Sequence, residues 1–150
     1  MFEFIPILSI MALHFREEEL NVMAFPILIV DDSAHNRILL AKQLTRLGYL
    51  SIESAENGKL GLSAYQSLHP GIIFLDGIMP EMDGLEVLRE IRKVDQSVVV
   101  VITSSMTERE KVLQFKEAGA DFYLVKPFET EKFEEVLKKA VDLMAVRSKE

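Results

Sequence analysis

Three aspartates, a threonine and a lysine each stand at or just past the end of a short apolar run in this sequence. Asp31 and Asp32 follow the run 25–30, Asp76 follows 72–75, Thr103 ends 98–102, and Lys126 comes just after 121–125. If these runs are parallel strands, their carboxyl ends share one edge of a sheet and the five polar groups converge there, where open α/β sheets bind ligands. Three carboxylates at such close quarters repel one another unless a cation lies between them. Hard oxygen ligands with room for water and phosphate suit Mg²⁺. Lys126 offers positive charge to phosphoryl oxygens and Thr103 a hydroxyl donor. The set is therefore equipped for phosphoryl transfer to a carboxylate by positioning and neutralisation of charge.

The elements that must hold these groups are legible as an alternation. Five apolar runs, 25–30, 49–52, 72–75, 98–102 and 121–125, are separated by stretches in which apolar spacing changes to three and four. Residues 98–102 are uninterrupted Val and Ile, as in a parallel strand covered on both faces. Helical stripes are formed by Leu40, Leu44 and Leu47; by Gly61, Ala64, Tyr65 and Leu68; by Leu85, Leu88 and Ile91; and by Phe133, Val136, Leu137, Ala140, Val141 and Met144. Gly48, Asn57-Gly58, Pro70-Gly71 and Gly119 fall at the joints, and Thr107 with Glu110 has the spacing of a capping box before the fourth helix. Strict βα alternation with short joints predicts a doubly wound α/β sheet with helices on both faces.

Composition narrows the function. With 49% hydrophobic and 27% charged residues the chain is a folded globule rather than a disordered one. A net charge of -7 argues against a nucleic-acid surface, which needs clustered Lys and Arg. The absence of cysteine excludes thiolate metal sites and Cys nucleophiles, and suits a reducing, cytoplasmic setting. No apolar run reaches the roughly 20 residues needed to span a bilayer.

The segments ILIVDDS (27–33), FLDGIMPEMDG (74–84), VITSS (101–105) and FYLVKPF (122–128) resemble, in order and spacing, the four motif blocks of response-regulator receiver domains, over about residues 24–145. The resemblance implies a flavodoxin-like sheet of order 2-1-3-4-5. It implies Asp76 as phosphoacceptor, with Mg²⁺ held by Asp32 directly, by Asp31 through water, by Asp76, and by the backbone carbonyl of Ile78. It also implies Thr103 as switch hydroxyl, Lys126 as phosphate-binding lysine, Tyr123 as switch aromatic and a cis bond before Pro127. The family accepts phosphoryl groups from a histidine kinase or phosphotransfer protein, at most catalysing its own phosphorylation and dephosphorylation. It commonly meets its output partner through the fourth helix, fifth strand and fifth helix. Gly71 and Ser104 depart from frequent family choices without touching the proposed chemistry.

Simpler readings stand beside these. Asp31 and Asp32 alone could cap a helix, Tyr123 could be a core aromatic, and the charged stretch 129–139 could be a solvated helix face. His14, His35 and His69 read as scattered surface residues, Pro80 and Gly84 as loop-shaping, and Met79 and Met82 as packing under that loop. A different class, the Mg²⁺-dependent dehalogenase-like aspartyl phosphatases, would carry its nucleophile after the first strand in an Asp-x-Asp pattern, whereas here Asp31 is followed by Asp32 and Ser33. The domain is expected over 23–146, with a tail at 147–150. Residues 1–22 read as an extension arising from an upstream start, the rival being a docking helix striped by Ile7, Leu8, Met11 and Phe15.

Overall fold

The computed structural model describes residues 24–148, so the stripe of Ile7, Leu8, Met11 and Phe15 lies outside the described residues. Among the described residues ten elements alternate: β1 (Ile27–Val30), α1 (Ala34–Arg46), β2 (Ile52–Ala55), α2 (Gly58–Leu68), β3 (Ile72–Asp76), α3 (Gly84–Val94), β4 (Val99–Ser104), α4 (Arg109–Glu117), β5 (Phe122–Val125) and α5 (Thr130–Arg147). The strands form one parallel sheet in the order β2-β1-β3-β4-β5. Both the alternation and the strand order agree with the sequence reading.

β1, β3 and β4 are buried along their whole length because helices cover both faces of the sheet. Alternate side chains divide between two cores. Ile27, Ile29, Ile72, Phe74, Val99 and Val101 pack against Leu40 and Leu44 of α1 and Phe133 and Leu137 of α5. On the other face Leu28, Val30, Ile73, Leu75, Val100 and Ile102 meet Tyr65 of α2, Val87 and Leu88 of α3, and Phe115 of α4. Ser33, Asn57 and Asp83 cap α1, α2 and α3 with side-chain oxygens that accept from Asn36, Leu60 and Glu86 amides. No helix among the described residues is long and apolar enough to cross a membrane.

Three local expectations are corrected. The second strand is Ile52–Ala55, not 49–52: the chain turns at Gly48 (φ 97), Tyr49 packs edge-on against Phe25, and Ile52 pairs with Ile27. β2 is an edge strand whose Glu53 and Ser54 face solvent, so its sequence does not look apolar. The Thr107–Glu110 capping box does not form, since α4 starts at Arg109 with Glu108 at the cap position and no side-chain cap bond. Asp121 stands before β5 rather than within it. Its amide donates to the Val100 carbonyl, and its carboxylate accepts from Val100 N–H, Arg92 and, through two bonds, Arg147. Arg92 also donates to the carbonyls of Gly119, Asp95 and Val98, so a buried cation and its anion are fully engaged at the end of the sheet remote from Asp76.

α2 and α3 are joined by a polar pair. The Tyr65 hydroxyl donates to Asp95 Oδ2 at 2.6 Å, while Asp95 Oδ1 accepts from Ser97 and Val98. Burial pushes the Asp95 carboxyl up, but the bonds from Tyr65, Ser97 and Val98 outweigh it and hold the group at about 2. A depressed carboxylate contributes stability that is present above the unfolded value of about 4 and is lost as pH falls through the folded value. Tyr65→Phe should cost about 1 kcal/mol at neutral pH and move the acid limb of the stability curve to higher pH. Urea melts between pH 7 and pH 2 test this; a variant whose acid limb matches wild type apart from a constant offset would count against the pairing.

Candidate functional site

Each site residue owes its place to a strand end. Asp76 is the last residue of β3 and lies opposite Thr103 in the β3–β4 register. The Asp31 amide extends the β1–β2 ladder by donating to Ala55 O at 3.1 Å, and the Lys126 amide extends β4–β5 by donating to Ser104 O at 2.8 Å. One carboxylate oxygen from each of Asp31, Asp32 and Asp76 lies within 4.8 Å of the others. Lys126 Nζ stands 2.8 Å from Asp31 Oδ2 and 3.5 Å from Asp76 Oδ1. The second Asp31 oxygen, Oδ1, accepts from the Ser33 amide at 2.8 Å, and the Ile78 amide donates to Asp76 Oδ1 at 3.2 Å. Asp31 and Asp76 are buried while Asp32 is exposed, so the cluster opens to solvent on one side.

This crowding has an electrostatic signature. Burial pushes the Asp76 carboxyl up, Lys126 and the Ile78 amide pull it down, and Asp31 and the hydrogen bond with Asp32 push it up, leaving it at about 7. All the side-chain donors are carboxylate oxygens, two are sheltered, and the third faces water. That set fits a hard cation with water in part of its shell, and the cluster could bind a metal ion.

The loop after β3 is tightly built. The Gly77 amide donates to Thr103 O and the Gly84 amide to Gly77 O. A Cβ on Gly84 would overlap the Asp76 carbonyl oxygen, so no side chain is tolerated there. Met79 is buried and Met82 packs against the same core, as anticipated, while the Pro80 carbonyl accepts from the Met82 amide across Glu81 (φ 67). Ile78 itself is exposed.

The structure thus brings Asp31, Asp32, Asp76 and Lys126 together and sets the buried Thr103 beside them. Tyr123 is elsewhere: its hydroxyl donates to Met106 O at 2.8 Å in the β4–α4 turn and its ring meets Phe115 edge-on at 5.9 Å. Ser104 Oγ accepts the Met106 amide, closing that turn. The Lys126–Pro127 bond is cis. His35 and His69 are exposed, and His14 lies outside the described residues. The sequence reading missed Arg37, in the first turn of α1, whose guanidinium donates to the Asp31 carbonyl at 2.8 Å. The signal available was its place four residues after the cap Ser33, on the turn that overlies the end of β1.

With this geometry established, likenesses to known proteins carry weight. The family described as the response regulator receiver domain matches residues 27–138. The chemotaxis protein CheY of Thermotoga maritima is 36% identical over 113 residues, covering 75% of this chain and 94% of that protein. The sporulation initiation phosphotransferase F of Bacillus subtilis is 33% identical over 117 residues, covering 78% of this chain and 94% of its own length. Among solved structures, the chemotaxis protein CheY4 of Vibrio cholerae matches with a TM-score of 0.73 at 29% identity, over 78% of this chain and 98% of that one.

A carboxyl raised in the folded state stabilises the fold below its unfolded value of about 4, and that contribution is lost as pH rises through the folded value of about 7. Asp76→Asn removes the cost of keeping the charge buried. In chelator at pH 8 it should be more stable than wild type by about 2–4 kcal/mol, with the gap closing toward pH 4. Thermal melts across that range decide it: an Asn variant less stable than wild type at pH 8 contradicts the electrostatic account.

Proposed function

Because the chain belongs to the response-regulator receiver family, we propose that Asp76 accepts a phosphoryl group from a phosphohistidine donor, a histidine kinase or phosphotransfer protein. The aspartyl phosphate then shifts the domain between two states that a partner protein reads. The family is one of signalling rather than catalysis. The observation that carries the assignment is the position of Asp76: a buried carboxylate within the acidic cluster, with Lys126 Nζ 3.5 Å away. A carboxylate oxygen of Asp76 forms a bond to phosphorus as the donor's P–N bond breaks, and the leaving imidazole takes up a proton.

Asp31, Asp32, Asp76 and the Ile78 backbone carbonyl would hold Mg²⁺, which when bound neutralises charge on the phosphoryl oxygens. Lys126, now shared between Asp31 and Asp76, is placed to turn to a phosphoryl oxygen. Thr103 would donate its hydroxyl to the same group. Tyr123 belongs to the response, because its hydroxyl bond to Met106 ties β5 to the β4–α4 turn that Thr103 adjoins. A two-state shift of this kind needs only differential contacts in the two states. The output partner is assigned to the face of α4, β5 and α5, and the setting to the cytoplasm. The receiver unit is taken as 23–146, with 1–22 as an extension and 147–150 as a tail. The site is further assigned the ability to phosphorylate itself from small phosphodonors and to dephosphorylate itself. The dehalogenase-like alternative is not favoured: Asp76 follows the third strand, and the first is followed by Asp-Asp-Ser rather than Asp-x-Asp.

The direct test is mass spectrometry after exposure to acetyl phosphate. Wild type with Mg²⁺ should gain one phosphoryl group, Asp76→Asn none, and chelator should abolish the gain; equal labelling of the variant removes Asp76 from its role. Lys126→Ala and Thr103→Ala should keep some labelling yet fail to reach the phosphorylated wild-type spectrum. The exposed Ile78 side chain cannot orient a hydrolytic water. The phosphoryl group should therefore persist longer than in Ile78→Asn, by a factor of about ten or less, equivalent to roughly 1.4 kcal/mol of barrier. Decay rates at equal Mg²⁺ measure this, and an Asn variant that decays no faster disproves it.

A further inference from the structure

We propose that Arg37 is a positioning residue for the metal-binding pair, fixing through the Asp31 carbonyl the direction in which Asp32 is presented. The inference rests on the reading above that Asp32 and Asp76 hold a divalent cation. Asp31 is engaged at every polar group. Its amide donates to Ala55, Oδ1 accepts from Ser33, Oδ2 accepts from Lys126, and its carbonyl accepts from Arg37 Nη1 at 2.8 Å. That carbonyl belongs to the planar peptide unit that carries the nitrogen of Asp32. The paired register of β1 with β2 and β3 ends at Val30, so ladder bonding fixes the path only as far as the Asp31 amide. Rotation of the Asp31–Asp32 peptide would swing the exposed Asp32 away from Asp76, and the guanidinium on its carbonyl opposes that rotation.

Arg37 is itself anchored. Its amide donates to Ser33 O, in the turn that Ser33 caps through Asn36 N–H, so cap, guanidinium and acidic pair form one rigid unit. A strand-end carbonyl on a buried residue needs a partner, and Arg supplies one with a planar, permanently charged group. The same fact could mean only that a carbonyl is satisfied. Charge separates the two meanings. Arg37 is a cation bound to the backbone of Asp31, one of the three acids, so if its charge were all that mattered, removing it would leave the binding of a second cation unchanged or tighter. If it positions Asp32, removing it loosens that binding.

The experiment is a Mg²⁺ titration of the full chain followed by amide chemical shifts of Ile78 and Thr103. It compares wild type, Arg37→Met, Arg37→Lys and Asp32→Asn. Arg37→Met keeps the aliphatic stem and should weaken Mg²⁺ about tenfold, the scale seen when a partner behind a metal ligand is lost. Arg37→Lys, which retains a donor and the charge, should recover to within about threefold of wild type. Should the Met protein lose its dispersed spectrum, Arg37→Gln is held to the same criterion. A neutral variant that binds Mg²⁺ as tightly as wild type or tighter, or a Lys variant no better than the neutral one, overturns the role of Arg37. A wild type that shows no saturable Mg²⁺ shift, or an Asp32→Asn protein that binds unchanged, instead removes the metal reading and this inference with it.

Discussion

Like charges held together are the constraint from which the rest of the molecule follows. Asp31, Asp32 and Asp76 bring carboxylate oxygens within 4.8 Å of one another, with Asp31 and Asp76 buried. Nothing in the local chain favours that arrangement. It is imposed by a parallel sheet whose β1 and β3 are adjacent and in register, so that their ends cannot separate without breaking the ladder. The two cores on either side of the sheet, built from Ile, Val, Leu and Phe, supply the driving force that sustains the repulsion. Lys126 offsets part of it, and the raised Asp76 carboxyl is the part left over.

That residual tension is confined to one edge of the sheet. A cluster already neutral would gain little from a cation, whereas this one carries three carboxylates against the single ammonium of Lys126 and opens to solvent at Asp32. The buried Thr103, the Ser104–Met106 closure and the Tyr123–Met106 bond lie next in line from the cluster to the surface of α4.

Much of this was legible in the residues because burial on both faces leaves an unmistakable record. β1, β3 and β4 read as continuous apolar runs, and the acids after β1 and β3 stand out against them. β2 was displaced by three residues because an edge strand needs no apolar run: Ile-Glu-Ser-Ala becomes a strand only through its pairing with β1. The start of α4 was misjudged because Thr107 has cap spacing, but the turn before it is closed by Ser104 and Tyr123. Arg37, and the Tyr65–Asp95 and Arg92–Asp121–Arg147 contacts, left no periodic trace. Each depends on side chains meeting across elements, and neither apolar spacing nor propensity encodes such a meeting.

The ionic knot at Asp121 has a mechanical meaning. It joins the last turns of α3 and α5 to the start of β5 through charge-assisted bonds, two of them from Arg147 to the one carboxylate. From that anchor β5 runs four residues, about 13 Å, to Val125, and Lys126 follows it. β5 is thus fastened at both ends, by the knot at its base and at its tip by the Lys126 amide on Ser104 O and the Lys126 ammonium on Asp31. The two fastenings differ in charge: the knot sets two guanidinium groups on one carboxylate, whereas the tip sets one ammonium between Asp31 and Asp76.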